Sequence, residues 1–119
     1  MSDELFMQVN RPGDEPTELA KKHSATLCVC DQPKAGQPFP LAFRVGSIPH
    51  PMENAHAIQF VEFFADDLYM ARVDFIPVVG RAEGTLWFRL PAGSWTLRAV
   101  SRCNIHGLWE SAKTIEVTA

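Results

Sequence analysis

Five side chains able to bind a metal or move a proton stand in loop-like segments of this chain: His23, His50, His56, Cys103 and His106. Cys103 and His106 are three residues apart within Cys-Asn-Ile-His-Gly-Leu-Trp-Glu-Ser, residues 103–111, a stretch without helical periodicity. His50 and His56 are six apart in a loop stiffened by Pro49 and Pro51, and His23 directly precedes the first strand-like run. A thiol and an imidazole at this spacing can act as nucleophile and base. No motif places an Asn or Asp to orient His106, however, and that reading leaves three histidines without a role. Closed structural zinc takes four ligands, typically with two or more thiolates in close-spaced pairs, so four imidazoles and one thiol are too many. An imidazole-rich set of five suits a redox iron with one position left open. The alternative for each histidine taken singly is a solvent-exposed or turn-stabilising loop residue.

The metal reading requires elements that bring the five together. Runs of strand character occur at 26–30, 39–45, 58–64, 68–75, 85–90, 95–100 and 114–117, separated by Pro, Gly and Asp turn signals. About seven short strands with turns every 8–12 residues predict an all-β, immunoglobulin-like antiparallel β-sandwich. Residues at strand ends gather at the two rims of such a sandwich, where four imidazoles and a thiol can converge. Residues 58–64 alternate imperfectly and are expected to form a central strand covered on both faces. Pro91-Ala92-Gly93-Ser94 has the composition of a hairpin turn. Residues 1–22 read as an N-terminal arm, with one possible helical turn at 18–22, and residues 23–119 as a single domain. Cys28 and Cys30 occupy one face of the first strand and are expected to be buried packing residues.

Composition narrows the function. The chain has 119 residues, a net charge of −3 and 46% apolar residues, values of an ordinary globular domain with no general attraction for nucleic acid. No run approaches the roughly 18–20 apolar residues of a membrane span. The N-terminal Met-Ser-Asp-Glu is acidic and no apolar signal core follows, which predicts a cytoplasmic location. Three cysteines, an odd number, argue against a disulfide framework.

Three elements together resemble the superoxide reductase family, comprising neelaredoxin and the iron-binding domain of desulfoferrodoxin. They are Lys22-His23, His50-Pro51…His56, and Cys103-Asn104-Ile105-His106-Gly107-Leu108-Trp109-Glu110-Ser111. The resemblance runs from about residue 21 to 118, and the C-terminal motif is its most specific part. It implies a mononuclear non-haem iron, with His23, His50, His56 and His106 in a plane, the Cys103 thiolate axial and the opposite position open. It also implies one-electron reduction of superoxide to hydrogen peroxide, an external electron donor such as rubredoxin, and a homo-oligomer, dimer or tetramer. Lys22 is then the cation that draws superoxide in. Backbone N–H groups of residues 104–107 are expected around the sulfur, with Leu108 and Trp109 plugging the rim.

Two features depart from the family pattern. Lys21 stands where many members have Glu, a carboxylate able to fill the open position, for which Glu18 or Glu15 is a substitute candidate. No rubredoxin-like Cys-x-x-Cys motif precedes the sandwich, and Cys28-Val29-Cys30 does not replace one. The alternative function is a non-catalytic iron-binding or electron-transfer module of the same fold. A pure interaction domain would leave all four histidines coincidental.

Overall fold

Phe39, Leu41, Phe43 and Val45 alternate along β3 (Phe39–Val45) and all are buried, while the residues between them face outward. That period of two is what a strand with one covered face requires. The computed structural model describes residues 8–13 and 17–119. Strand β3 lies between β2 (Ala25–Cys28) and β6 (Glu83–Phe88) in an antiparallel three-stranded sheet. The second sheet has five strands in the order β1 (Val9–Asn10), β8 (Gly107–Val117), β7 (Gly93–Cys103), β4 (Ile58–Ala65) and β5 (Leu68–Asp74). All its pairings are antiparallel except β1 with β8. The core fills the space between the sheets, where Phe43 of one layer meets Phe63 of the other edge-on at 4.9 Å.

The antiparallel β-sandwich expected from the sequence is present, with eight strands among the described residues where about seven were anticipated. The added strand is β1, inside the segment read as an arm. The single helix among the described residues, α1 (Glu18–His23), replaces the possible helical turn. Thr17 caps it by accepting from the Ala20 N–H, Glu18 sits in the first turn, and Lys21, Lys22 and His23 complement the last.

Other differences have local causes. The imperfect alternation of 58–64 reflects a register shift between Ile58 and Phe60 on the β7 side, since an extra residue in one strand breaks the period. Strand β4 is central, yet among the described residues no further layer covers its second face: Phe60 and Phe64 lie under the guanidinium groups of Arg72 and Arg98, 4.0 and 4.6 Å from the ring centroids. Residues 91–94 do not form a hairpin turn, because β6 pairs with β3 whereas β7 lies in the other sheet; Pro91 and Ala92 belong to the crossing between layers, and Gly93 and Ser94 already open β7. The long hairpin is β7–β8, whose register closes at Cys103 opposite Gly107. Its tip is therefore Asn104-Ile105-His106, followed by Gly107 at φ +81°, a conformation that costs little without a Cβ.

The expectation for Cys28 and Cys30 is corrected. Alternation along this edge turns Ala25, Leu27 and Val29 inward and leaves Cys28 and Cys30 exposed, joined to each other by a disulfide. They share a face, as a period of two demands, but it is the outer one. Among the described residues no helix is long and apolar enough to cross a membrane.

Candidate metal centre

Three separate elements deliver the five candidate ligands. His23 ends α1, His50 and His56 lie in the loop between β3 and β4, and Cys103 ends β7 with His106 in the β7–β8 hairpin tip that follows. Backbone hydrogen bonds lock these elements together. The Lys21 carbonyl at the end of α1 accepts from Ser47 N–H at 2.9 Å and Ile48 N–H at 3.4 Å, tying the His50 loop to the His23 helix. Gly46 is needed there. Its φ is +90°, and a Cβ would collide with the Ile48 carbonyl and stand 2.7 Å from that of Lys22. Asn104 ties the other side, its Oδ1 accepting from Ala57 N–H at 2.9 Å and its Nδ2 donating to the Ala55 carbonyl at 3.0 Å.

The four imidazoles form a closed ring. Successive centroids are 4.5 Å apart for His23–His50, 4.6 Å for His50–His56, 5.2 Å for His56–His106 and 4.7 Å for His106–His23. The His23–His56 diagonal is 6.4 Å. Ligand atoms of His23, His56, Cys103 and His106 all lie within 4.8 Å of one another, and His50 joins them with its Nε2 3.0 Å from that of His23. All five predicted ligands are thus gathered. Cys103 is fully buried, with its Sγ 3.7 Å from His106 Nδ1.

The donor atoms are prepared for a cation. His23 Nδ1–H donates to the Leu19 carbonyl at 2.6 Å and His50 Nδ1–H to the Pro51 carbonyl at 2.7 Å. A carbonyl only accepts, so each neutral ring carries its proton on Nδ1 and turns a lone pair on Nε2 inward. Two such lone pairs 3.0 Å apart repel unless a positive centre shares them. The His56 Nε2 atom is buried with no hydrogen-bond partner among the described residues, a further lone pair waiting for a cation. Burial pushes the pKa of His23 and of His50 down to about 4, with the neighbouring imidazoles adding to the effect. Burial also lowers His106 and raises the Cys103 thiol, the latter opposed by hydrogen bonds from the His106 and Ile105 backbone. Neutral imidazoles with a buried thiol shielded by N–H groups match an imidazole–thiolate metal site.

Of the flanking residues, Lys22 lies next to His23 and its charge helps lower that pKa; its Nζ is 3.4 Å from Glu18 Oε1, one helical turn back. Glu18 is therefore engaged with Lys22, Lys21 is exposed, and Glu15 lies outside the described residues. Trp109 does more than plug the rim. It stacks on His23 at 5.3 Å and donates from Nε1 to the His106 carbonyl at 3.1 Å. Ser101 went unnoticed in the sequence; it is fully buried and its hydroxyl donates to the His23 carbonyl at 2.6 Å. Its signal was a polar residue at an inward position of β7, in phase with Leu97, Ala99 and Cys103.

A two-layer β-sandwich with four imidazoles and a buried thiol on one rim defines a mononuclear metal protein of the histidine–cysteine type. Residues 15–112 match the desulfoferrodoxin family model, and the chain belongs to that family. A relative from Methanocaldococcus jannaschii, provisionally named a superoxide reductase, is 40% identical over 104 residues, covering 85% of this chain and 88% of that protein. Two solved structures are titled superoxide reductase (neelaredoxin) from Ignicoccus hospitalis. One, a glutamate-to-alanine variant, superposes with a TM-score of 0.82 at 32% identity, covering 93% of this chain and 95% of that one. The other gives 0.79 at 33% identity, covering 98% of each.

Proposed function

We propose that this chain is a superoxide reductase whose mononuclear non-haem iron is held by His23, His50, His56, His106 and Cys103. The observation that carries this reading is the closed imidazole ring beside a buried thiol, with inward lone pairs that no donor among the described residues satisfies. Iron, when bound, supplies the chemistry by passing between its ferrous and ferric states, so that superoxide gains one electron and, with two protons, leaves as hydrogen peroxide.

The residues act as follows. Carbonyls of Leu19 and Pro51 fix the tautomers of His23 and His50, keeping both rings neutral and aimed inward. The Cys103 thiolate adds the site's single ligand charge, and hydrogen bonds from Ile105 and His106 temper its donation. Lys22, beside the ring on an acidic protein, offers a local cation to an approaching anion. Glu18 restrains that ammonium and partly cancels its field.

The proposal extends to an external one-electron donor of the rubredoxin kind, to a homo-oligomer (dimer or tetramer) and to a cytoplasmic setting. Supporting a protein partner, Ile76, Val78 and Val79 are 67, 63 and 83% exposed, and Val78 N–H donates to the Met52 carbonyl of the ligand loop. The test is an iron-reconstituted sample given pulsed superoxide. Stoichiometric peroxide with a thiolate-to-iron absorption band supports the proposal. Bound iron without peroxide would reduce the chain to a non-catalytic iron module, and failure to hold iron would remove the site.

A further inference from the structure

The Cys28–Cys30 disulfide lies outside the metal centre, on the far side of Ala25–Leu27 along the strand that starts after His23. Stapling the fold does not explain it. A disulfide stabilises mainly by closing a loop in the unfolded chain, a gain that grows with loop length. Here only Val29 is enclosed, both sulfurs belong to one edge, and opening the bond releases no distant element. Packing does not explain it either, since both residues are exposed while Leu27 and Val29 point into the core. Cys30 borders an open groove of about 390 Å³ whose walls include Gln32, Lys113 and Glu116. Exposed disulfides are the ones open to thiol exchange, because an incoming thiolate can reach a sulfur along its axis.

We propose that Cys28 and Cys30 form a second, metal-free redox site, a dithiol/disulfide couple oxidised by hydrogen peroxide and re-reduced by a dithiol protein. This rests on the superoxide reductase reading only for the local source of peroxide. The thiolate of one cysteine attacks peroxide, giving a sulfenic acid and releasing the second oxygen as water after protonation. The other thiol then condenses with the sulfenic acid and expels a second water. The dithiol loses two electrons and two protons, and one peroxide becomes two waters. A partner dithiol returns the two electrons by exchange through a mixed disulfide and leaves as its own disulfide. The iron centre would thereby have part of its product removed by the same chain.

The test uses the iron-loaded full chain, reduced with dithiothreitol, desalted and given one equivalent of peroxide. The expected result is loss of both alkylatable thiols and about two mass units from the peptide carrying Cys28 and Cys30, with Cys103 unchanged. A Cys-x-x-Cys dithiol oxidoreductase with its own reductant restores both thiols. Of Cys28→Ser and Cys30→Ser, the variant that keeps the attacking cysteine stops at a sulfenic acid that dimedone traps, and no trapping in either overturns the proposal. The double variant keeps the superoxide rate but, in the presence of the dithiol donor, releases more peroxide per superoxide consumed. A dithiol that survives peroxide, or a disulfide that stays closed to the dithiol protein in the folded chain, overturns the proposal. Because peroxide is added directly, this arm stands apart from superoxide turnover, which is measured on the same sample.

Discussion

His23 Nε2 and His50 Nε2 face each other at 3.0 Å, and neither carries the proton, since both Nδ1 atoms donate to carbonyls. Two unshared lone pairs at that distance are held together by the folded chain against their own repulsion. A bound cation turns this repulsion into joint attraction, so metal binding and folding are coupled at this contact.

The metal-free protein should therefore be acid-sensitive. His23 and His50 have folded pKa values near 4, below the ordinary 6.5 of the unfolded chain. Between those values the unfolded state binds more protons, so stability rises with pH. It is fully present above about pH 6.5 and declines as pH falls toward 4, by on the order of 3 kcal/mol for each histidine. Urea midpoints of the apo-protein across pH 4–7 check this, and a flat profile would refute it.

Cys103→Ser should abolish the thiolate-to-iron absorption band while leaving the imidazoles able to hold metal. The superoxide rate should fall by more than the roughly 10–100-fold that loss of an outer partner costs. Optical spectra and pulsed-superoxide kinetics on reconstituted protein measure both.

Lys22→Ala should slow the bimolecular step with superoxide by about 3- to 10-fold, and Glu18→Gln should speed it by about 2-fold, because the two charges partly cancel. Raising ionic strength should slow the parent and leave Lys22→Ala nearly unchanged. Equal salt dependence in both would remove Lys22 from the approach path.

Asn104 links the hairpin tip to the loop of His56 through both ends of its amide. Asn104→Ala should weaken metal affinity by about 10- to 100-fold, read by competition with a chelator, while far-ultraviolet circular dichroism stays that of a β-sandwich.

Ser101→Ala leaves the His23 carbonyl without its buried donor. A loss of about 1–3 kcal/mol in folding stability is expected from urea titration, with iron stoichiometry kept. A neutral outcome would show that another donor takes over that carbonyl.

Donor types, the short spacings Cys103–His106 and His50–His56, and the alternation that makes β3 a half-buried strand were legible in the sequence. These are local properties, carried by neighbouring residues whatever the rest of the chain does. The fold class followed, because period-two runs broken by turn residues can bury their apolar faces only as packed sheets. Tertiary structure decided the rest. It joined His23 to His106 across more than eighty positions, and it made residues 91–94 part of a crossing between layers and the start of β7 where their composition looked like a hairpin. It also set the phase of β2, which put Leu27 inside and Cys28 and Cys30 outside. Alternation gives a strand its period, but which face is covered depends on the sheet that packs against it. For the same reason Ser101 became a partner of His23 only when β7 packed beneath the end of α1.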